Sequence, residues 1–187
     1  GDTGDLLAER SQTIDMIVSQ GRAQLKSPAI PRHLHDVYRV DGEGGPTFDR
    51  TLRALELLRR HGVEFNTLTV VHRGNAEHPL EVYRFLEECG SRFLQFIPLV
   101  ERMTEEGVLS GPPLPDQSLS AATVSPWSVG PEQYGSFLCS IFDEWVRSDV
   151  GRIHVQLFEV QLAVRTGMAS SLCLFAPTCG RALVLEH

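Results

Sequence analysis

The 187-residue sequence predicts an α/β fold, on three observations. Residues 63–71 (VEFNTLTVV) and 93–100 (FLQFIPLV) are apolar and rich in β-branched and aromatic side chains, the composition of strands buried on both faces. A helical pattern from Pro79 to about Cys89 lies between them, so the strands begin about 30 residues apart, as in a βαβ unit with parallel strands. Downstream, Tyr134, Phe137, Leu138, Ile141, Phe142 and Trp145 form a wide apolar stripe at helical spacing.

The elements follow in order. Residues 5–25 read as an amphipathic helix, with Leu6, Leu7, Ile14, Ile17, Val18 and Leu25 among charged and amide side chains. Ser27-Pro28 and Pro31 end it, because proline lacks the N–H and restricts the residue before it. VDGEGGP (Val40–Pro46) is a turn by composition. Thr47 is placed to N-cap a helix carrying Phe48, Leu52, Leu55 and Leu58, and His61-Gly62 stops it. The first strand ends in a polar loop from His72 to His78, and Pro79 suits the first turn of the next helix, whose buried face is Leu80, Tyr83 and Leu86. Gly90 closes that helix. Residues 101–130 are rich in Pro, Ser and Gly, too long for an ordinary loop, and are expected to wrap the surface or cover a site. A helix from Pro131 to about Asp149, a short strand over Val150–Leu157, a short helix over Phe158–Thr166 ended by Gly167, and a final strand over Arg181–His187 complete the reading.

Composition limits function. The chain carries 17 Lys+Arg against 24 Asp+Glu, a net charge of −7, which argues against a nucleic-acid or anionic-membrane surface. No apolar run reaches the roughly 20 residues that span a bilayer, and the first residues show no signal pattern. A cytoplasmic protein with free thiols is the expectation, its four cysteines being no disulfide framework.

Several groups could carry chemistry. Cys173 and Cys179 (CLFAPTCG) share a loop with Pro177, where they are either buried free thiols or ligands to a thiophilic metal or iron–sulfur cluster. Zinc would need more ligands, and only His187 is near in sequence. Cys89 and Cys139 lie in helices beside apolar neighbours and read as small core residues. His33, His35, Asp36 and Arg39 form a polar cluster that is either a solvated loop or an anion site in which Arg39 forks to a carboxylate. His72 and His78 flank the exit of the first strand, where ligands bind in α/β folds. Gln95, inside the second strand, needs a buried partner or a ligand, and Leu99 stands at that strand's exit.

The runs HDVYRVD (His35–Asp41), TFDR, LELL and RHGVEFNTLTVV within Thr47–Val71, NAEHPLEVYRFL (Asn75–Leu86), RFLQFIPLVER (Arg92–Arg102), GSFLCSIFDEWVRSDVGRIHVQLFEV (Gly135–Val160), and LCLFAPTCGRAL with LEH (Leu172–His187) resemble the anaerobic sulfatase-maturating enzymes. These are radical S-adenosylmethionine proteins with an iron–sulfur (SPASM) domain. The resemblance implies a partial (β/α)6 barrel leading into the start of that domain. It also implies S-adenosylmethionine and [4Fe–4S] clusters as cofactors, and a sulfatase polypeptide as partner, whose Cys or Ser becomes Cα-formylglycine. By the same resemblance Arg39 binds the methionine carboxylate, Leu99 contacts the same cofactor, and Cys173 and Cys179 are the first two ligands of the nearer auxiliary cluster.

The sequence departs from that pattern in places. It contains no Cys-x3-Cys-x2-Cys, Ser27-Pro28-Ala29-Ile30-Pro31 replaces the family's Ser-x-Asp-Gly-Pro, and the family's Asn-Gly-Asp-x-Tyr-x-Cys-Asp does not follow His187. The expectation is a central fragment, inactive alone: a helical segment over 1–31, part of the barrel over 32–130, and a helix with the start of the auxiliary-cluster domain over 131–187. An uncovered strand edge would invite self-association. Two alternatives stand beside it: a non-catalytic peptide- or protein-binding remnant, and a small zinc-binding domain using Cys173, Cys179 and His187.

Overall fold

A computed structural model of the chain describes residues 30–110, 122–170 and 172–178, together with the backbone of residues 16–19 and 22–25. The main sheet runs β1 (Met16–Ser19), β2 (Arg22–Leu25), β3 (Glu64–Val71), β4 (Phe93–Pro98) and β8 (His154–Val155), in that order. β1 and β2 are antiparallel, and every later neighbour is parallel. The strands between β4 and β8 in sequence, β5 (Arg102–Thr104), β6 (Leu109–Ser110) and β7 (Ala122–Val124), form a separate antiparallel sheet with β5 in the middle. Helices are α1 (Arg32–His35), α2 (Phe48–Arg60), α3 (Pro79–Glu88), α4 (Pro131–Ser148) and α5 (Gln156–Arg165).

The parallel pair β3–β4 with α3 between them is the expected βαβ unit, in the register Asn66↔Phe93 through Val71↔Pro98. Only one face of it is fully covered. Phe65, Thr67, Thr69 and Val71 alternate into the core, while Asn66, Leu68 and Val70 stay half-exposed beside Phe93, Gln95 and the exposed Ile97. The expectation of strands buried on both faces is therefore corrected: one face is buried and the other half-exposed. Their core joins Leu55, Val82, Tyr83, Leu86, Leu94, Phe137, Ile141 and Trp145.

Two helix stops work as the sequence suggests. Gly62 (φ 62°) and Gly90 (φ 85°) take the left-handed conformation, and the following amides of Val63 and Ser91 bond the carbonyls of Leu58 and Leu86. A buried bond from Tyr83 Oη to Asp149 Oδ2 (2.5 Å) fastens α3 to the end of α4, and Arg152 pairs with the same carboxylate and with Glu87. Trp145 donates its indole N–H to the Ile153 carbonyl at 2.7 Å.

Several expectations are corrected. The helix over 5–25 is replaced across residues 16–25 by the β1–β2 pair, and the same finding overturns the helical segment over 1–31 there; residues 5–15 lie outside those described. β-Branched Ile17 and Val18 favour a strand, and the edge of β3 gives β2 parallel partners that a lone helix would lack. The strand over 150–157 shrinks to β8, because Asp149 accepts from the amides of Arg152 and Ile153 in a tight turn. Cys139 is exposed and Cys89 only half-buried, so neither is a core residue in full. Burial, with Glu88 nearby, still pushes the Cys89 thiol up to about 11. Thr47 holds the N-cap position, but its hydroxyl donates to the Arg39 carbonyl instead of to the helix. The expected strand over 181–187 lies outside the described residues. No described helix is long and apolar enough to cross a membrane.

Candidate functional site

A cavity of about 570 Å³ opens at the carboxyl ends of β3 and β4, lined by Ile30, Leu34, His35, Tyr38, Arg39, Val70, His72, Leu99 and Trp127. Its size and place are those of a small-molecule site in an α/β sheet. Three structural pieces build it.

The first wall is the segment that enters through α1. The Pro31 carbonyl accepts from Leu34 and His35, and the Arg39 amide bonds the His35 carbonyl at 3.0 Å. On its other side the Arg39 carbonyl accepts both the Thr47 hydroxyl (2.7 Å) and the Thr47 amide (3.3 Å). Asp41 closes the intervening turn by accepting from the amides of Glu43 and Gly45. The Arg39 backbone is thus held at both ends while its half-buried side chain reaches the cavity. Among the described residues no carboxylate pairs with its guanidinium.

Asp36 cannot serve that purpose. Its Oδ1 accepts the Phe48 amide at 3.1 Å and lies 3.0 Å from His35 Nδ1, and Arg32 is 3.8 Å from Oδ2. Burial pushes the Asp36 carboxyl up, but the His35 and Phe48 bonds and the charges of His35 and Arg32 outweigh it and hold it below its ordinary value. His35 is completely buried, and its Nε2 has no hydrogen-bond partner.

The second wall is the exit of β3. Asn75, fully buried, accepts the His72 amide on Oδ1 (2.8 Å) and donates Nδ2 to the Val70 carbonyl (2.9 Å), so the chain turns sharply at the strand's end. The Gly74 amide donates to His72 Nδ1 at 3.1 Å, and the ring meets Tyr38 edge-on at 4.6 Å. Burial holds the His72 imidazole below its ordinary value.

The third wall is the end of β4 and the segment expected to cover a site. The Leu99 amide bonds the Val71 carbonyl at 2.8 Å, and the Leu99 carbonyl accepts from Val129 at 3.0 Å. Trp127 completes the lining, its carbonyl accepting from the Arg73 amide and its indole N–H donating to Glu101.

The structure therefore brings His35, Arg39, His72 and Leu99 together at one cavity. His33 and His78 do not line it and stand beside Glu81 instead. Gln95 is half-buried and bonded. Cys173 is exposed in a 3₁₀ turn (Cys173–Phe175), whereas Cys179 and His187, on which the zinc reading also depends, lie outside the described residues. Tyr38 and Trp127 were not expected in the site. Tyr38 is the neighbour of Arg39 in the HDVYR run, and Trp127 is the single large aromatic in an otherwise small-residue wrap, a signal that could have marked it.

The chain is 40% identical over 157 residues to the serine-type anaerobic sulfatase-maturating enzyme of Bacteroides thetaiotaomicron, covering 83% of this chain and 37% of that relative. It is 29% identical, over the same share of the chain and 38% of the relative, to the cysteine-type enzyme of Clostridium novyi. A solved structure described as native anSMEcpe with bound AdoMet and Cp18Cys peptide superposes on 81% of this chain and 38% of its own, with a TM-score of 0.63 and 29% identity. No protein-family model matches the chain. The sequence spans less than two-fifths of the length of these relatives. Over the matched residues it is a homologue of the anaerobic sulfatase-maturating enzymes, radical S-adenosylmethionine proteins.

Proposed function

From that kinship we propose that these residues are the cofactor-binding middle of an enzyme that oxidises a cysteine or serine of a sulfatase to Cα-formylglycine. Residues 32–130 then belong to a partial (β/α)6 barrel, and residues 131–187 lead into the auxiliary-cluster domain. The observation that carries the reading is Arg39: a guanidinium with no described carboxylate partner, at a largely apolar cavity beyond the ends of parallel strands.

In this reading the cavity holds S-adenosylmethionine. Bound there, the cofactor supplies the radical chemistry of the family. Arg39 forks to its carboxylate, the bidentate geometry for which guanidinium is suited. Leu99 and Val70 pack against the cofactor's apolar surface, and Tyr38 and Trp127 exclude water. The cavity volume lies well within the range of about 300–1,000 Å³ for small-molecule sites.

Cluster binding is a different matter. The 187 residues contain no Cys-x3-Cys-x2-Cys, so they do not fit a radical-generating cluster, and by themselves they leave S-adenosylmethionine uncleaved. Cys173 and Cys179 serve the nearer auxiliary cluster in this reading, with further ligands required. The partner is a sulfatase polypeptide, and the setting is the cytoplasm, where thiols stay reduced.

Equilibrium dialysis with labelled S-adenosylmethionine tests the cofactor assignment. Saturable binding, displaced by S-adenosylhomocysteine and weakened at least about tenfold in a folded Arg39→Ala variant, is expected. Absence of binding, or binding indifferent to Arg39, would sink it. Capture of a sulfatase peptide without any S-adenosylmethionine binding would favour the non-catalytic peptide-binding reading instead.

A further inference from the structure

On the outer side of the α1 segment, away from the cavity, two imidazoles converge on one carboxylate. Glu81 Oε2 lies 3.1 Å from His78 Nδ1, and Glu81 Oε1 lies 3.6 Å from His33 Nδ1. The two rings meet edge-on at 5.6 Å. One ligand atom from each of the three side chains falls within 4.8 Å of the others. We propose that His33, His78 and Glu81 form a site for a divalent transition metal, with Zn²⁺ the best match.

The donor set is the first argument. Two imidazole nitrogens and one carboxylate oxygen, with a position left for water, make one of the recurring three-ligand zinc sets. The placement is the second. His78 caps α3 and Glu81 lies three residues on, so both face the same side of the first helical turn. His33 comes from α1, a separate element, and supplies the third direction that two residues of one turn cannot.

The distances are compatible. Tetrahedral coordination at about 2.0–2.1 Å puts ligand atoms about 3.3–3.4 Å apart, so the widest pair must close by about 1.4 Å. Partly exposed side chains can do that by small torsional changes, and their relative exposures of 56%, 42% and 44% leave an entry path for an ion. No arginine competes for the carboxylate among the described residues. Arg32, the nearest in sequence to His33, is paired with Asp49 and Asp36 and lies over the Phe48 ring.

A metal here would link two walls of the cavity. His33 is two residues before His35, and His78 ends the loop that begins at His72. Cross-linking residues this far apart in the chain removes unfolded-state freedom, so occupancy should stabilise the fold. This is independent of what fills the cavity.

Titrating the metal-free chain with Zn²⁺ in a calorimeter, followed by Co²⁺ substitution, tests the assignment. One saturable site per chain is expected, with affinity at least tenfold weaker in both His33→Gln and His78→Gln. Zn²⁺ should raise the thermal midpoint of the parent and leave that of His33→Gln in place. The Co²⁺ form should show the visible bands of a nitrogen–oxygen donor set without thiolate-to-metal charge transfer. The assignment is overturned by any of three outcomes: no saturable binding at millimolar Zn²⁺, affinity unaltered in both histidine variants, or a thiolate band that vanishes in Cys173→Ser.

Discussion

The cavity should be most sensitive to Asn75, which never touches its contents. Its amide bridges the Val70 carbonyl and the His72 amide, at 2.9 and 2.8 Å, and the residue is fully buried. Asn75→Ala leaves one part-buried acceptor and one buried donor without this partner. Each such orphan costs about 1–3 kcal/mol, and the cavity next to them admits some water, so the total should be about 2–4 kcal/mol. With a urea m-value near 2 kcal/mol/M, the unfolding midpoint should fall by about 1–2 M. Asn75→Asp keeps the acceptor for His72 but faces the Val70 carbonyl with an oxygen, so it should recover only part of the loss. Urea unfolding followed by tryptophan fluorescence and circular dichroism measures both. If Asn75→Ala costs less than about 0.5 kcal/mol, like an ordinary surface change, the account of this turn is wrong.

Other expectations follow from the same structure. Replacing Arg39 by alanine should weaken S-adenosylmethionine binding by about 10- to 150-fold, the equivalent of about 1.5–3 kcal/mol for charge-assisted hydrogen bonds; lysine should restore only part of it, and equal affinities across the three proteins in dialysis would contradict the fork. His72 is held below its ordinary value by burial, so the unfolded chain takes up the proton first as pH falls. Its contribution is therefore intact above about pH 6.5 and is lost as pH falls through the lower folded value; the drop in urea midpoint between about pH 7.5 and about pH 5 should be shallower in His72→Gln, and an unchanged slope would count against this. Tyr83→Phe deprives the buried Asp149 of the hydroxyl donor on its Oδ2 and should cost about 1.5–3 kcal/mol in urea unfolding, with Arg152 left as the carboxylate's partner; a neutral result would mean that bond is not formed in solution.

What could be read from the sequence was whatever local chemistry decides. The β3–α3–β4 unit, the glycine stops and α4 all follow from periodicity within a short window, and the structure has them close to the expected residues. Arg39, His35, His72 and Leu99 were legible as candidates, since each sits beside a turn or a strand exit. The misses are of another kind. Residues 16–25 have enough helical periodicity to suggest a helix, yet a strand edge elsewhere in the chain decides their fate, and no local window contains that edge. Thr47 looks like an N-cap, but its hydroxyl donates to the Arg39 carbonyl, a partner eight residues away, while Asp36 takes the Phe48 amide. Trp127 joins the cavity only because Ser125, Ser128 and Val129 are laced to Glu101 and Leu99, pairings far outside any local window.

Of the two arginines on the α1 segment, Arg39 is the one left to meet an anion. Arg32 lies on the same short segment but is neutralised by Asp36 and Asp49 and covers the Phe48 ring at 4.5 Å. Asp36 is committed to His35, the Phe48 amide and Arg32. Asp41 is committed to the amides of Glu43 and Gly45 and lies 4.0 Å from Arg50. Asp36 and Asp41 thus have backbone donors to satisfy, and moving either toward Arg39 would undo the contacts that position Arg39 in the first place. Among the described residues, the charge opposite this guanidinium has no source within the protein. Ile30, Leu34, Val70 and Leu99 make the rest of the wall largely apolar, so the molecule that fits is one with an anionic end for Arg39 and a broad apolar body behind it.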